Sequence, residues 1–262
     1  MSDERRPGGF LQTRIGRLFT GIVSIALGLA VWEFLSRHVN PVFLPSPMTT
    51  WNSVGELTGD GTLWRAIVAS SQRILEGWGM GLVIGIPVGV LMGHFRIVRH
   101  FLDPYIEFFR FIPPIAFVTL SVIWLGPGEA SKVALILYTT VFIVTLNTIA
   151  GVLSVNELRL RAAAALGAGP MKTLFTVVVP STVPYMVTGA RLAMGNSFLT
   201  IVSAEIVAAR EGLGSLIWTS RNYGRTEWVF VAIITLGLLG LLFDRILRIF
   251  AQRVLRRYGV SV

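Results

Sequence analysis

RLRAAAALGAGPMKTLFTVVVPSTVP, residues 159–184, is the stretch on which the reading of this chain turns. It begins basic and Ala-rich, brings glycines and a proline close together, and then becomes apolar. Four alanines and Leu166 favour a helix, and Gly167, Gly169 and Pro170 stop it after about two turns. A helix that short is marginal in water. It needs a surface, either its own membrane spans or a partner, and its small side chains let another backbone approach closely. Composition alone also allows a plain Ala-rich connector.

Outward from this stretch the chain is too apolar for a soluble domain. Of its 262 residues 53% are hydrophobic and 14% charged, and the mean hydropathy is +0.68. The reading is an all-α integral membrane protein in contact with the lipid bilayer. A net charge of +9 could suggest nucleic acid, but the basic residues cluster at the ends of apolar runs, as the positive-inside rule requires, so no nucleic-acid partner is expected. Zero cysteines exclude disulfides, thiolate catalysis and Cys-ligated metal. There is no G-x-x-x-x-G-K-[ST] loop, and His38, His94 and His100 form no H-E-x-x-H pattern. The chain is therefore expected to be neither an ATPase nor another enzyme, and to hold no metal.

The apolar runs predict six transmembrane helices over residues 18–36, 70–93, 105–125, 130–152, 185–208 and 228–248, within one domain, 1–262. The first could instead be a signal peptide following the basic residues Arg5, Arg6, Arg14 and Arg17, but no small-residue cleavage site ends it. Ser46-Pro47 opens a short interfacial helix. Gly77, Gly81, Gly85, Gly89 and Gly93 share one face of the second span, either for close packing or as a flexible pathway wall. Glu107 and Arg110 read as an interfacial pair. Pro113 and Pro114 break the third span, which is tolerated at membrane depth only beside protein or a cavity, so they are pathway candidates. Asn147 in the fourth span is either a helix–helix hydrogen bonder or a lining residue. Asn196, Thr200 and Ser203 recur as a polar stripe on the fifth span, and Glu205 near its outer end is either hydrogen-bonded structure or pathway. Residues 173–190 are also long and uncharged. Counting them as a span would put the tail arginines 245, 248, 253, 256 and 257 outside, and Pro180 and Pro184 argue against an uninterrupted helix. Both termini and the segment 157–184 are accordingly expected to be cytoplasmic. An outer loop holds Arg210, Arg221 and Arg225, placed to attract an anion or an acidic delivery protein.

Several motifs in fixed order carry a resemblance. Arg161-Ala162-Ala163, Gly167 and Val177 to Pro180 keep the spacing of the cytoplasmic signature of permeases from binding-protein-dependent ABC importers, with Arg161 where Glu is usual. FLPSP at 43–47, FRFIPPIAF at 109–117, AEIVAA at 204–209, GLGSLI at 212–217 and GLLGLLFDR at 237–245 make the chain most similar to the nitrate, sulfonate and taurine permeases. The resemblance implies a type I ABC importer permease fold in a bacterial inner membrane. It implies ATPase coupling through Arg161, Ala162, Ala163, Leu166, Gly167 and Pro180, and a small anion as cargo. The implied partners are a second permease copy, by default a homodimer, ABC ATPase subunits that bind ATP and Mg, and an extracytoplasmic solute-binding protein. Read from the residues alone, a free-standing secondary transporter or channel remains the alternative.

Overall fold

The structure, a computed structural model, describes residues 14–256. Arg5, Arg6 and Arg257, part of the charge argument above, lie outside the described residues. The elements are all helical. They run α1 Arg14–His38, α2 Pro47–Gly59, α3 Thr62–His94, α4 Arg96–Phe109, a 3-10 turn Pro114–Phe117 into α5 Val118–Leu125, and α6 Glu129–Leu153. After these come α7 Glu157–Ala165, α8 Pro170–Thr173, α9 Val179–Ala208, α10 Leu213–Asn222 and α11 Thr226–Arg256. Among the described residues five helices are long and apolar enough to cross a membrane. The bent pair Arg96–Phe109 and Pro114–Leu125 makes a sixth if taken as one broken span.

The centre of the fold is α3 against α6, and the glycine face makes it possible. A Cβ built on Gly77 would lie 2.6 Å from Ile136, on Gly85 3.0 Å from Val144, on Gly89 2.5 Å from Thr148 and on Gly93 2.5 Å from Val152, while one on Gly81 would meet Thr140. The partners advance in step with the glycines, so the two helices run parallel. Thr145 Oγ1 reaches across this near backbone contact to donate to the Gly85 carbonyl at 3.2 Å. The glycine stripe is thus occupied by packing. On the other side α9 runs antiparallel to α6, with Gly151 against Thr182 and Tyr185 and Gly189 against Asn147. Helix α11 returns beside α9 through Arg191–Asp244 at 2.8 Å and the Phe198–Phe243 ring pair.

Helix α1 packs little against the rest and exposes Phe19, Ile22, Ile25, Leu29 and Phe34. The Trp32 indole donates to the Pro45 carbonyl and stacks on Phe230. Ser46 caps α2, accepting from the Thr49 amide at 3.1 Å.

Four expectations need correction. The apolar stretch 173–190 is helical and continuous with the fifth span, the candidate span running Pro170–Val207. Pro180 comes directly after a wide π turn, Leu174–Val178, with Val179 N–H bonded back to Leu174, and Pro184 stands inside α9 without ending it. The wide turn lets the helix pass a proline whose missing N–H would otherwise break the ladder. The third span begins at Arg96, with Pro104 inside the helix, and bends by 89° at the prolines. The segment after α9, expected to be an outer loop, contains α10, whose Leu213 and Leu216 pack with Leu57, Leu63 and Val231. Glu107 and Arg110 form no ion pair among the described residues: the Arg110 N–H still bonds the Ile106 carbonyl in helical fashion, but its guanidinium lies over the Phe111 ring instead.

Candidate functional site

Three places gather the residues singled out above. The first is the segment after α6. Asn156 caps α7 by accepting from the Leu158 amide at 2.8 Å. At the other end Ala168 N–H bonds the Ala163 carbonyl at 3.0 Å and Gly167 N–H that of Ala164 at 2.9 Å. Gly167 sits at φ +74. This is the paired closure that ends a helix on a left-handed residue, a conformation glycine adopts without strain. Arg161 pairs with Glu157 one turn earlier at 2.8 Å, both exposed. Ala162, Ala163, Leu166 and Pro180 line a groove of about 830 Å³ between α7 and the start of α9, together with Arg159 and Lys172. Arg161 and Gly167 lie beside this groove and do not line it. Leu166 is 88% exposed, a large apolar side chain with little cover among the described residues.

The second place is the break in the third span. The Tyr138 hydroxyl donates to the carbonyls of Phe109 and Ile112, the latter at 3.3 Å, adding to the Ile112 N–H bond on Phe109 and tying the backbone of the break to α6. Around this break Pro113, Pro114, Tyr138, Thr139 and Asn196 line a cavity of about 300 Å³, and Arg110 stands at it too. Of the other pathway candidates, Thr200 is buried behind it, its hydroxyl donating to the Asn196 carbonyl at 3.1 Å. Asn147 faces the α6–α9 contact, its amide donating to the Ile143 carbonyl at 2.8 Å under Gly189. Ser203 is half-buried higher on α9 and does not line the cavity.

Glu205 belongs to the third place, a buried charge cluster near the far end of α9. Its side chain is fully buried. It accepts from Ser70 Oγ at 2.8 Å, Arg73 Nη1 at 2.6 Å and the Gly214 amide at 2.8 Å. Arg73 also binds the Glu129 carboxylate and the Glu211 carbonyl, and Lys132 binds Glu129 at 2.9 Å. Gly212, at φ +133, wraps so tightly that a Cβ would strike the Glu205 carboxylate. The cluster fastens α3, α6, α9 and the start of α10 together. Arg73 was missed by sequence reasoning. Its signal is that an arginine stands eleven residues inside a helix that the glycine face carries into the membrane.

Just outside this cluster, Arg210 and Arg225 line one cavity of about 590 Å³ with Arg65 and Tyr223, while Arg221 lies off it over the Trp218 ring. Arg225 is already neutralised by Glu227 and by Glu56 at 2.9 Å and covers the Trp228 ring at 4.1 Å. The bond from Glu227 leads the causes that hold its guanidinium above the ordinary value. Arg210 makes no ion pair among the described residues and also borders Arg73, Glu129 and Lys132.

Comparison with known proteins adds three findings. Residues 81–256 match the family described as "Binding-protein-dependent transport system inner membrane component". The chain is 36% identical to the taurine transport system permease protein TauC of Escherichia coli over 91% of this chain and 89% of that one, and 29% identical to the nitrate import permease protein NrtB of Leptolyngbya laminosa over 95% and 94%. Its fold superposes on a chain of the MetNI methionine ABC transporter in an inward-facing structure, with a TM-score of 0.63 and 19% identity, covering 75% of this chain and 96% of that chain.

Proposed function

Because the chain belongs to the inner membrane components of binding-protein-dependent ABC transporters, we propose that it forms half of a translocation pathway for a small anion. The chain is a permease, a multi-pass inner membrane protein with no catalytic role of its own, working with an ATPase that binds ATP and with a binding protein. In our reading the second half of the pathway is another copy of this chain, and one domain spans residues 1–262.

The observation that carries the pathway is the cavity at the broken third span. It is lined by Pro113, Pro114 and Asn196 and left open on one side of a single chain. A half-cavity at a helix break is what two apposed subunits need to enclose a solute. The anionic cargo is supported by relatives whose names specify taurine and nitrate, a sulfonate and an inorganic oxyanion, and by the cationic groups Arg110 and Arg210 beside the cavities.

Coupling we assign to the groove under α7. Closure of the ATPase dimer moves α7, and because α8, the π turn and α9 form one continuous helix, that motion reaches Asn196 and Thr200 directly. The pathway then switches between inward and outward access. The basic end of the bundle, carrying His94, Arg96, Arg159, Arg161, Lys172 and the arginines of α11, would face the cytoplasm with both termini.

The test is reconstitution with the ATPase and binding protein in liposomes, followed by ATP-dependent uptake of taurine and nitrate and the mass of the purified complex. Uptake of either anion that needs ATP, with two copies of this chain per complex, is expected. Uptake without ATP, or one copy paired with a different permease, would overturn the corresponding part of the proposal.

A further inference from the structure

We infer that Arg110 is the group that contacts the anion within the pathway. The inference rests on the pathway reading of the cavity and adds the residue and the chemistry. Tyr138 lies about 14 Å along α6 from its outer start at 1.5 Å per residue, and its hydroxyl holds the carbonyls on either side of Arg110. That sets Arg110 well inside the bilayer, where a lone cation is costly.

Other cations on the spans are compensated: Arg73 by Glu129 and Glu205, Lys132 by Glu129, and Arg191 by Asp244. Arg110 has no carboxylate partner and no acceptor for its N–H groups among the described residues. The carbonyls of Phe109 and Ile112 are taken by Tyr138. Its guanidinium lies 4.5 Å from the centroid of the Phe111 ring, which steadies the side chain without neutralising it. The residue is exposed and lines the cavity with Asn196, whose side-chain amide can supply a neutral hydrogen bond.

An unpaired, ring-steadied guanidinium beside a small polar cavity fits a small oxyanion, because its planar fork meets two oxygens at once. The solute supplies the missing countercharge as it passes and takes it away again on leaving. A built-in acid at this position would compete with it.

The absence of cysteine from the chain allows a test that does not depend on knowing the cargo. In the purified complex with the ATPase, Asn196→Cys places one thiol on this chain in the cavity wall. Its modification rate is measured with 2-sulfonatoethyl methanethiosulfonate and with the similarly sized 2-trimethylammonioethyl reagent. With Arg110 present the sulfonate reagent should have the advantage. Arg110→Gln should lower the anion-to-cation rate ratio by about tenfold, the effect of removing one charge at close range in a weakly screened cavity, and Arg110→Lys should keep most of it. An unchanged ratio in Arg110→Gln overturns the assignment while leaving the pathway reading intact. A thiol deaf to both reagents overturns the pathway reading itself. Should Arg110→Gln fail to assemble, the Arg110 protein still decides: nitrate must slow the sulfonate reagent more than gluconate does at equal ionic strength, and equal slowing refutes the claim.

Discussion

Replacing Glu205 by Leu should be among the most damaging single changes in this protein, and the structure gives the size. The Glu205 carboxylate accepts from Ser70, Arg73 and the Gly214 amide with no access to solvent. Leucine leaves the Gly214 N–H without an acceptor, worth about 1–3 kcal/mol. It also strips one of two carboxylates from an arginine that is only 6% exposed. Breaking a buried pair by removing one partner costs about 3–5 kcal/mol. Arg73 keeps Glu129, so the sum should fall near the lower end, about 4 kcal/mol. At roughly 2–4 °C per kcal/mol for a chain of this size, the melting temperature should drop by about 8–16 °C. The assay is detergent-solubilised protein heated in steps, with the surviving monodisperse fraction read by size-exclusion chromatography. Arg73→Met should be worse still, since it leaves the buried Glu205 carboxylate without a cation. The double variant Arg73→Met/Glu205→Leu should recover part of that loss, because no unpaired charge remains inside. A double variant whose loss equals the sum of the singles would refute the reasoning, as would an unshifted Glu205→Leu.

Further outcomes follow from other parts of the fold. Gly81→Leu and Gly89→Leu should each cost about 1–3 kcal/mol by overpacking against Thr140 and Thr148, whereas Gly79→Leu, with open space around it, should leave the melting temperature unchanged. Gly167→Ala should weaken ATP-coupled uptake modestly, since φ +74 costs a Cβ-bearing residue about 1–2 kcal/mol. Ala163→Trp, filling the groove, should abolish coupling without preventing membrane insertion, and normal uptake would remove α7 from the mechanism. Arg210→Gln should reduce anion uptake most at low ionic strength, while Arg225→Gln should act chiefly on stability, its charge being spent on Glu56 and Glu227. A cysteine replacing Arg253 should resist a membrane-impermeant maleimide added to sealed cells that labels one replacing Tyr223; labelling from outside would reverse the orientation.

What the sequence made legible, and what it hid, divides along the range of the interactions. The glycine face of α3 could be read because its period of four is local, and the close of α7 because Gly167 and Pro170 act within a turn. The Pro113-Pro114 break was equally local. The charge cluster was only half visible: Glu205 drew notice as an acid in an apolar run, but its partners Ser70 and Arg73 lie about 130 residues away in sequence and carry no periodic signal. Pro180 misled because the proline rule presumes a regular ladder, which the π turn before it suspends, and Pro184 because it is carried inside α9 without ending it. Arg110 was masked by Glu107, which sits one turn before it and reads as its partner, whereas the guanidinium lies over Phe111. The stripe Asn196, Thr200 and Ser203 was correct as a face of α9, yet only its first member reaches the cavity, because the face also turns into the packing against α6.

The stepwise match of α3 to α6 has one more consequence. A row of glycines spaced by four against a row of partners spaced by four possesses an approximate translational symmetry: sliding one helix by four residues, about 6 Å, brings every glycine but the last opposite a new partner of the same row. Close packing alone therefore does not say where along each other these helices should stop. Something aperiodic must, and the tie from Arg73 to Glu129 and Glu205 occurs once, at one end, acting as a dowel that selects a single alignment from a ladder of near-equivalents.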